Sequence, residues 1–176
     1  LVSGLFLVPD GVVARAHPLE GNEAALGHDL LKDPARRTEV LEAIESDRIV
    51  LAGPMNMRQG GVGLFARKPV FWEENGTRRF WGLVVALIRW EAVLETFDFK
   101  SLDSDGYAYA LKRKLRTDDQ ATLMSRSTAE IIPNLALTRS LAIPGGEWLL
   151  TVSPKKEPLG WIGPVGYGFV AVFGIV

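Results

Sequence analysis

The chain contains no cysteine, and this excludes disulfide bonds, a thiolate nucleophile and metal sites with sulfur ligands. Histidine is also scarce, since His17 and His28 are the only two. Two histidines are too few for a histidine-type zinc site unless carboxylates complete it. We therefore expect neither a metal ion nor a cofactor.

Blocks of basic charge are missing as well. The 20 lysine and arginine residues are balanced by 21 acidic residues, which gives a formal net charge of -1. Proteins that bind nucleic acid cluster their basic residues along the phosphates, so we expect no nucleic-acid partner. With 47% hydrophobic and 23% charged residues, the composition is that of a globular protein.

One long stretch has no charge at all, and it lies at the C-terminal end, over residues 161–176. A helix that crosses a bilayer needs about 20 apolar residues, and Trp161 and Tyr167 suit the membrane interface at its start. We expect a transmembrane helix to begin here; a buried strand broken by glycines is the alternative. The chain starts without Met, which is typical of a fragment of a longer protein.

Turn residues separate most of the predicted strands. They occur at 9–11, 75–76 and 144–146, each time between two apolar runs, and predict hairpins. A strand over 48–52 is expected to end at Gly53-Pro54. Because regular βαβ alternation is absent, hairpins with helices on one side favour an α+β fold on an antiparallel sheet.

Two helices are predicted near the N-terminus. Asn22 is expected to cap a short one that Gly27 ends, and Asp33 to cap a longer one with Pro34 in its first position. The longer helix has an apolar stripe of Val40, Leu41 and Ile44. Its charged residues are expected to face solvent; they are Arg36, Arg37, Glu39, Glu42 and Glu45.

The adjacent pair His28-Asp29 suggests a small hydrolase, but neighbouring residues of an extended chain point to opposite faces and make a poor dyad. No G-x-S-x-G motif accompanies them. Asp29 follows Gly27 and would accept hydrogen bonds from a ligand at the edge of an apolar cavity. Alternatively, it is a turn aspartate that binds backbone amides ahead of Asp33, and the residue types alone favour this second interpretation.

The glycines at 60, 61 and 63 are followed by basic residues. These glycines do not form a phosphate loop, because the Lys-Ser/Thr pair is missing and a strand rather than a helix follows. Arg67 and Lys68 would meet an anionic ligand, or would protect an exposed strand edge from aggregation.

Three segments in order, PDGVV…HPLEGNEAALGHDLL, VLAGPMNMRQGGVGLFARKPVF and RRFWGLV, resemble the CHASE domain, an extracellular sensory module of cyclases and histidine kinases. The resemblance is specific over residues 5–94. It implies a ligand-binding lobe at 1–99, built on a PAS-like antiparallel sheet with flanking helices. A second, smaller strand-rich lobe near the membrane would occupy 100–160, and a transmembrane helix would start within 161–176.

The resemblance also implies a function. The chain would be the periplasmic or extracellular domain of an inner-membrane receptor, held in the membrane by flanking helices and acting as a homodimer. It would bind a small molecule and signal to a cytoplasmic histidine kinase, diguanylate cyclase or phosphodiesterase, without being an enzyme itself. Plant members bind cytokinins, which are adenine derivatives, so an adenine-like ligand is one expectation. A dimerisation module without a ligand is an alternative.

The family's ligand-binding aspartate falls on Asp29, and its strand leucine falls on Leu51. Arg67 departs from the plant pattern, which has a small polar residue just before the P-V motif, and a ligand other than a cytokinin is consistent with this change. The complete set of ligand-binding residues that the resemblance implies is Asp29, Leu51, Ala52, Gly53, Gly63, Phe65, Arg67 and Val84.

Overall fold

The computed structural model describes residues 2–116 and 119–156, which form two antiparallel sheets and a few short helices. The first sheet has the strand order β2-β1-β5-β4-β3. Its strands are β1 (Val2–Pro9), β2 (Arg15–His17), β3 (Val50–Asn56), β4 (Val62–Glu74) and β5 (Thr77–Arg89). The second sheet has the order β7-β6-β9-β8. Its strands are β6 (Tyr107–Leu115), β7 (Thr122–Arg126), β8 (Leu137–Ile143) and β9 (Gly146–Pro154).

The predicted hairpins at 75–76 and 144–146 are confirmed, because they join β4 to β5 and β8 to β9. The predicted end of a strand at Gly53-Pro54 is wrong. β3 runs through both residues to Asn56, with an irregular register between Ala52 and Met55. Pairing with β4 on one side lets the strand continue past a proline, which is tolerated at sheet edges and bulges.

Three α-helices are described, α1 (Pro34–Ser46), α2 (Trp90–Thr96) and α3 (Phe99–Ser104), together with 3₁₀ helices at Glu23–Ala25 and Pro133–Leu135. The predicted cap of α1 is confirmed, since the Asp33 carboxylate accepts a hydrogen bond from the Ala35 amide at 2.9 Å. The predicted Asn22 cap is wrong. Its side chain donates instead to the Pro18 carbonyl oxygen at 2.9 Å, in the loop that precedes it.

The two faces of the first sheet bury different cores. One face packs against α1 and the first 3₁₀ helix, with Val8, Leu83 and Val40 at its centre. The opposite face packs against the second sheet through Leu64, Leu111 and Trp148, among others. The Leu51 amide also donates to the Pro144 carbonyl oxygen at 2.8 Å, so main-chain bonding joins β3 to the β8–β9 turn.

The expected transmembrane segment at 161–176 lies outside the described residues. Within 2–116 and 119–156, no helix is both long and apolar enough to cross a bilayer.

Candidate functional site

A cavity of about 40 Å³ lies within the first core, between the sheet and the chain that covers it. Its apolar wall comes from β1, β4, β5 and the covering segments, and consists of Phe6, Val8, Val13, Ala25, Leu30, Met57, Phe65 and Val85. Its polar wall consists of His28, Arg36, Arg58, Gln59 and Arg67. A volume of this size holds a few water molecules, and therefore a ligand of only a few heavy atoms unless side chains move.

Arg67 is the most deeply buried charge in this wall, with 1% of its surface exposed. Its Nη1 donates to the Arg36 carbonyl oxygen at 3.1 Å and lies 3.4 Å from Glu39 Oε2. Burial lowers the pKa of Arg67 to about 10, although the neighbouring Glu39 opposes the shift. The guanidinium therefore remains charged at neutral pH. Its Nε has no hydrogen-bond partner within the described chain.

Glu39 was expected to face solvent, and this expectation is wrong, because the residue is buried in α1. Its Oε1 accepts a hydrogen bond at 2.6 Å from Nη2 of Arg113 on β6. The carboxylate thus connects the cavity wall to the second sheet. The position of Glu39, next to Val40 and four residues before Ala43, was the available signal, since that spacing places it on the buried face of the helix.

His28 pairs with Asp33 rather than with its neighbour Asp29. Its Nε2 lies 2.7 Å from Asp33 Oδ2, which also accepts from Arg36 Nη1 at 2.8 Å. Burial lowers the pKa of His28 below 6.5, and the positive charges of Arg58 and Arg36 lower it further, while Asp33 acts in the opposite direction. The imidazole is therefore mostly neutral at pH 7.

Asp29 adopts the turn arrangement. Its Oδ1 accepts from the amides of Leu31 and Lys32, both at 3.1 Å, and its Oδ2 lies 3.0 Å from Lys32 Nζ. The hydrogen bond from Lys32 is the main reason that the pKa of Asp29 is lowered. The carboxylate thus stabilises the loop before α1, and Asp29 is not part of the cavity wall.

Comparison with known families identifies the family of this chain. A family model described as the CHASE domain matches residues 11–124, which is more than half of the chain. The chain belongs to the CHASE family. The match spans the whole first sheet beyond β1, the segments that cover the cavity, all of β6 and the first residues of β7.

Two solved structures resemble this CHASE chain. An extracellular ligand-binding receptor from Desulfohalobium retbaense aligns with a TM-score of 0.62 and 14% identity, over 87% of this chain and 30% of that one. The ligand-binding domain of the Pseudomonas aeruginosa amino-acid chemoreceptor PctC, in complex with GABA, aligns with a TM-score of 0.52 and 13% identity, over 86% and 73%. Comparison with curated proteins gives no match. At these identities the likeness concerns the fold.

The ligand-binding residues that the CHASE resemblance predicted do not all line the cavity. Phe65 and Arg67 lie in the cavity wall. Leu51 packs instead with the second core, on the other side of the sheet. Val84 alternates with Leu83 and Val85, whose side chains enter the first core, so it points away from the cavity.

The three small nominated residues lie where β3 and β4 approach each other. Ala52 is fully buried and pairs with Phe65. A Cβ on Gly53 would lie 2.6 Å from the Gly63 carbonyl oxygen, and one on Gly63 would lie 2.6 Å from Leu87 Cδ1. These glycines therefore have a packing role beside the cavity, because any side chain would force the two strands or the core apart.

Four polar residues of the cavity wall were not nominated from the sequence: His28, Arg36, Arg58 and Gln59. Arg36 was expected in solvent, and its placement depends on the contact with Asn56, whose carbonyl oxygen accepts from Nη2 at 2.8 Å. Arg58 and Gln59 belong to the loop before Gly60, where no local pattern distinguishes a cavity rim from an ordinary surface loop.

Proposed function

We propose that this CHASE chain is the extracytoplasmic sensory domain of a membrane receptor and binds a small molecule in the cavity beside Arg67. The observation that carries the proposal is a partly apolar cavity with a buried charged side chain in its wall, which is typical of ligand sites. The similar solved structures support it, since one is described as an extracellular ligand-binding receptor and the other as a ligand-binding domain with GABA bound.

The finer organisation follows the family. The strand order β2-β1-β5-β4-β3 supports a PAS-like ligand-binding lobe at 1–99, and the second sheet supports a membrane-proximal lobe at 100–160. The receptor is a homodimer held in the membrane by helices that flank the domain. Its output is a cytoplasmic histidine kinase, diguanylate cyclase or phosphodiesterase.

Transmission requires a ligand that binds one arrangement of the domain more tightly than another. Glu39 suits such a role, because its two oxygens contact Arg67 in the cavity wall and Arg113 on β6. The sensory domain itself is non-catalytic in this proposal. The supporting observation is that the His28 ring bonds to Asp33, so the His28-Asp29 pair of the hydrolase hypothesis is not assembled.

A thermal-unfolding screen of the 176-residue chain against carboxylates, amino acids and adenine derivatives tests the proposal. A compound present at 100 times its dissociation constant should stabilise the folded state by about 2.7 kcal/mol. An increase in melting temperature that depends on compound concentration is the expected result. A chain that dimerises but responds to none of these classes would be the ligand-free dimerisation module instead.

A further inference from the structure

We propose that the ligand of this cavity is a short aliphatic monocarboxylate of about two to four carbons, held by the arginines of the cavity wall. The proposal rests on the proposed sensory function and specifies its ligand. The carboxylate would lie among Arg36, Arg58 and Arg67, and its hydrocarbon chain would lie on the apolar side formed by Phe6, Phe65 and Val85.

The charges around the cavity are unbalanced. Three arginines line it, and none of the lining residues is acidic. The two carboxylates behind the wall are each shared between two partners: Glu39 contacts Arg67 and Arg113, and Asp33 contacts Arg36 and His28. An anion in the cavity would supply the missing negative charge, because a buried charge without compensation is costly.

Arg67 and Arg58 have N–H donors that are available to a ligand. Arg67 is buried and charged, and its Nε donor has no partner among the described residues. Arg58 is exposed at the rim of the cavity and forms no ion pair within the described chain. Guanidinium groups present several N–H donors in a plane and bind carboxylates in a bidentate manner.

The size and polarity of the cavity narrow the class further. At about 40 Å³ it is far smaller than the roughly 300 Å³ at which drug-sized sites begin, so an adenine derivative does not fit without rearrangement. An amino acid of suitable size carries an ammonium group, and the wall offers three arginines and no carboxylate to receive it. The apolar side instead accepts a short hydrocarbon chain.

Isothermal titration calorimetry of the 176-residue chain, in a buffer free of carboxylates, tests the class directly. Propionate is expected to bind, and propionamide, which has the same shape without the charge, to bind at least ~10-fold more weakly. β-Alanine, which adds only the ammonium group, should also be at least ~10-fold weaker. Adenine should show no binding.

Two variants locate the binding. Arg58→Gln, at an exposed position that does not threaten folding, should raise the Kd for propionate by about 10-fold or more. Arg67→Lys keeps the buried charge but loses the planar donors, and should also weaken binding. Arg79→Gln removes an exposed arginine of the β4–β5 hairpin and should leave the Kd unchanged.

Two outcomes overturn the carboxylate assignment without overturning the sensory function, and a third overturns both. If another class in the screen binds and carboxylates do not, the carboxylate assignment is overturned while the sensory function stands. If propionate binds equally well to the wild type and to both the Arg58 and Arg67 variants, its site is elsewhere and the assignment is overturned. If no compound of any class binds, both proposals fail together.

Discussion

Glu39 uses its two carboxylate oxygens for different arginines. One lies 3.4 Å from Arg67 Nη1 and the other 2.6 Å from Arg113 Nη2. All three side chains are mostly buried, so each charge depends on the others for its compensation. Such clusters are weak evidence of net stability, but removing one member leaves an uncompensated buried charge.

Glu39→Ala is therefore expected to lower the free energy of unfolding by about 3–5 kcal/mol. Chemical denaturation followed by circular dichroism measures the change. Glu45→Ala is the matched control, because Glu45 is exposed on the same helix and should change stability by less than about 0.5 kcal/mol. Equal effects of the two substitutions would show that the buried cluster does not stabilise the fold.

His28 makes stability depend on pH in the mildly acidic range. Burial, together with Arg58 and Arg36, keeps the folded-state pKa of His28 below 6.5 despite the hydrogen bond to Asp33. The unfolded chain therefore takes up a proton first as the pH falls. The contribution of neutral His28 is fully present above about pH 6.5 and is lost as the pH falls from there towards the folded-state pKa.

The free energy of unfolding should accordingly be lower at about pH 5.5 than at about pH 7.5, and His28→Asn should reduce that difference. Denaturant titrations at the two pH values measure it. His17→Asn serves as the control, because His17 is exposed on β2. A pH dependence unchanged by His28→Asn would assign the effect to other groups.

At the scale of the strand, alternation decides which nominated residues can reach the cavity. Phe65 and Arg67 share one face of β4, whereas Leu64 projects from the opposite face into the second core.

β1 and β5 approach each other closely at one glycine. Gly82 lies opposite Pro9, and a Cβ there would collide with the Val8 carbonyl oxygen and lie 2.7 Å from the Pro9 Cα.

Gly82→Ala is expected to lower the free energy of unfolding by about 1–3 kcal/mol more than Gly76→Ala does. The added methyl group meets main-chain atoms that cannot move aside. Gly76 has a φ of +74° in an open turn. Its replacement should therefore cost only the left-handed backbone strain of about 1–2 kcal/mol. Comparable melting temperatures for the two variants would contradict this explanation.

The elements that could be predicted from the sequence depend on local chemistry. The turns at 75–76 and 144–146 and the Asp33 cap of α1 need only neighbouring residues to form. The passage of β3 through Gly53-Pro54 could not be predicted, because it depends on pairing with β4. For Glu39, the spacing to Ala43 indicated the buried face of α1, but its charge indicated solvent. The partners that make its burial possible, Arg67 and Arg113, come from distant parts of the chain and could not be predicted.

The resemblance to the CHASE family identified the correct family and included Phe65 and Arg67 of the cavity wall. It did not separate cavity residues from their neighbours. Leu51 lies on β3, which contributes no residue to the cavity wall, and it packs with the second core. Val84 lies on β5, which borders the cavity, but it projects to the opposite face from Leu83 and Val85. Sequence similarity can identify the strands; the register between them decides which side chains enter the cavity.

For the molecule as a whole, the second core unites the two sheets. Trp148 of β9 is buried there against Trp90 and Phe97, with ring centroids 6.1 Å and 6.0 Å away. Leu64 of the first sheet belongs to the same core. The two sheets are therefore expected to lose stability together when this core is damaged.

Trp148→Ala should lower the free energy of unfolding by about 3–5 kcal/mol and reduce hydrogen-exchange protection in both sheets. Trp72→Ala is the matched control, because Trp72 is 55% exposed on β4 and should have a small effect. Full protection of β1 and β5 in a Trp148→Ala protein whose second sheet exchanges freely would show that the sheets are energetically independent.

The position of β1 has a consequence for the order of events during synthesis. β1 pairs with β5, so Val2 has no partner on that side until Ile88 has been synthesised. The strands of the second sheet, in contrast, pair with one another within residues 107–154. Leu5 and Leu7 alternate with the buried residues of β1 and stay exposed even in the folded chain. The edge of β1 that faces β5 therefore stays unpaired until β5 has been translated, although residues 5–7 of β1 pair with β2 on the other side. This open apolar edge is where chaperones or other nascent chains would first bind.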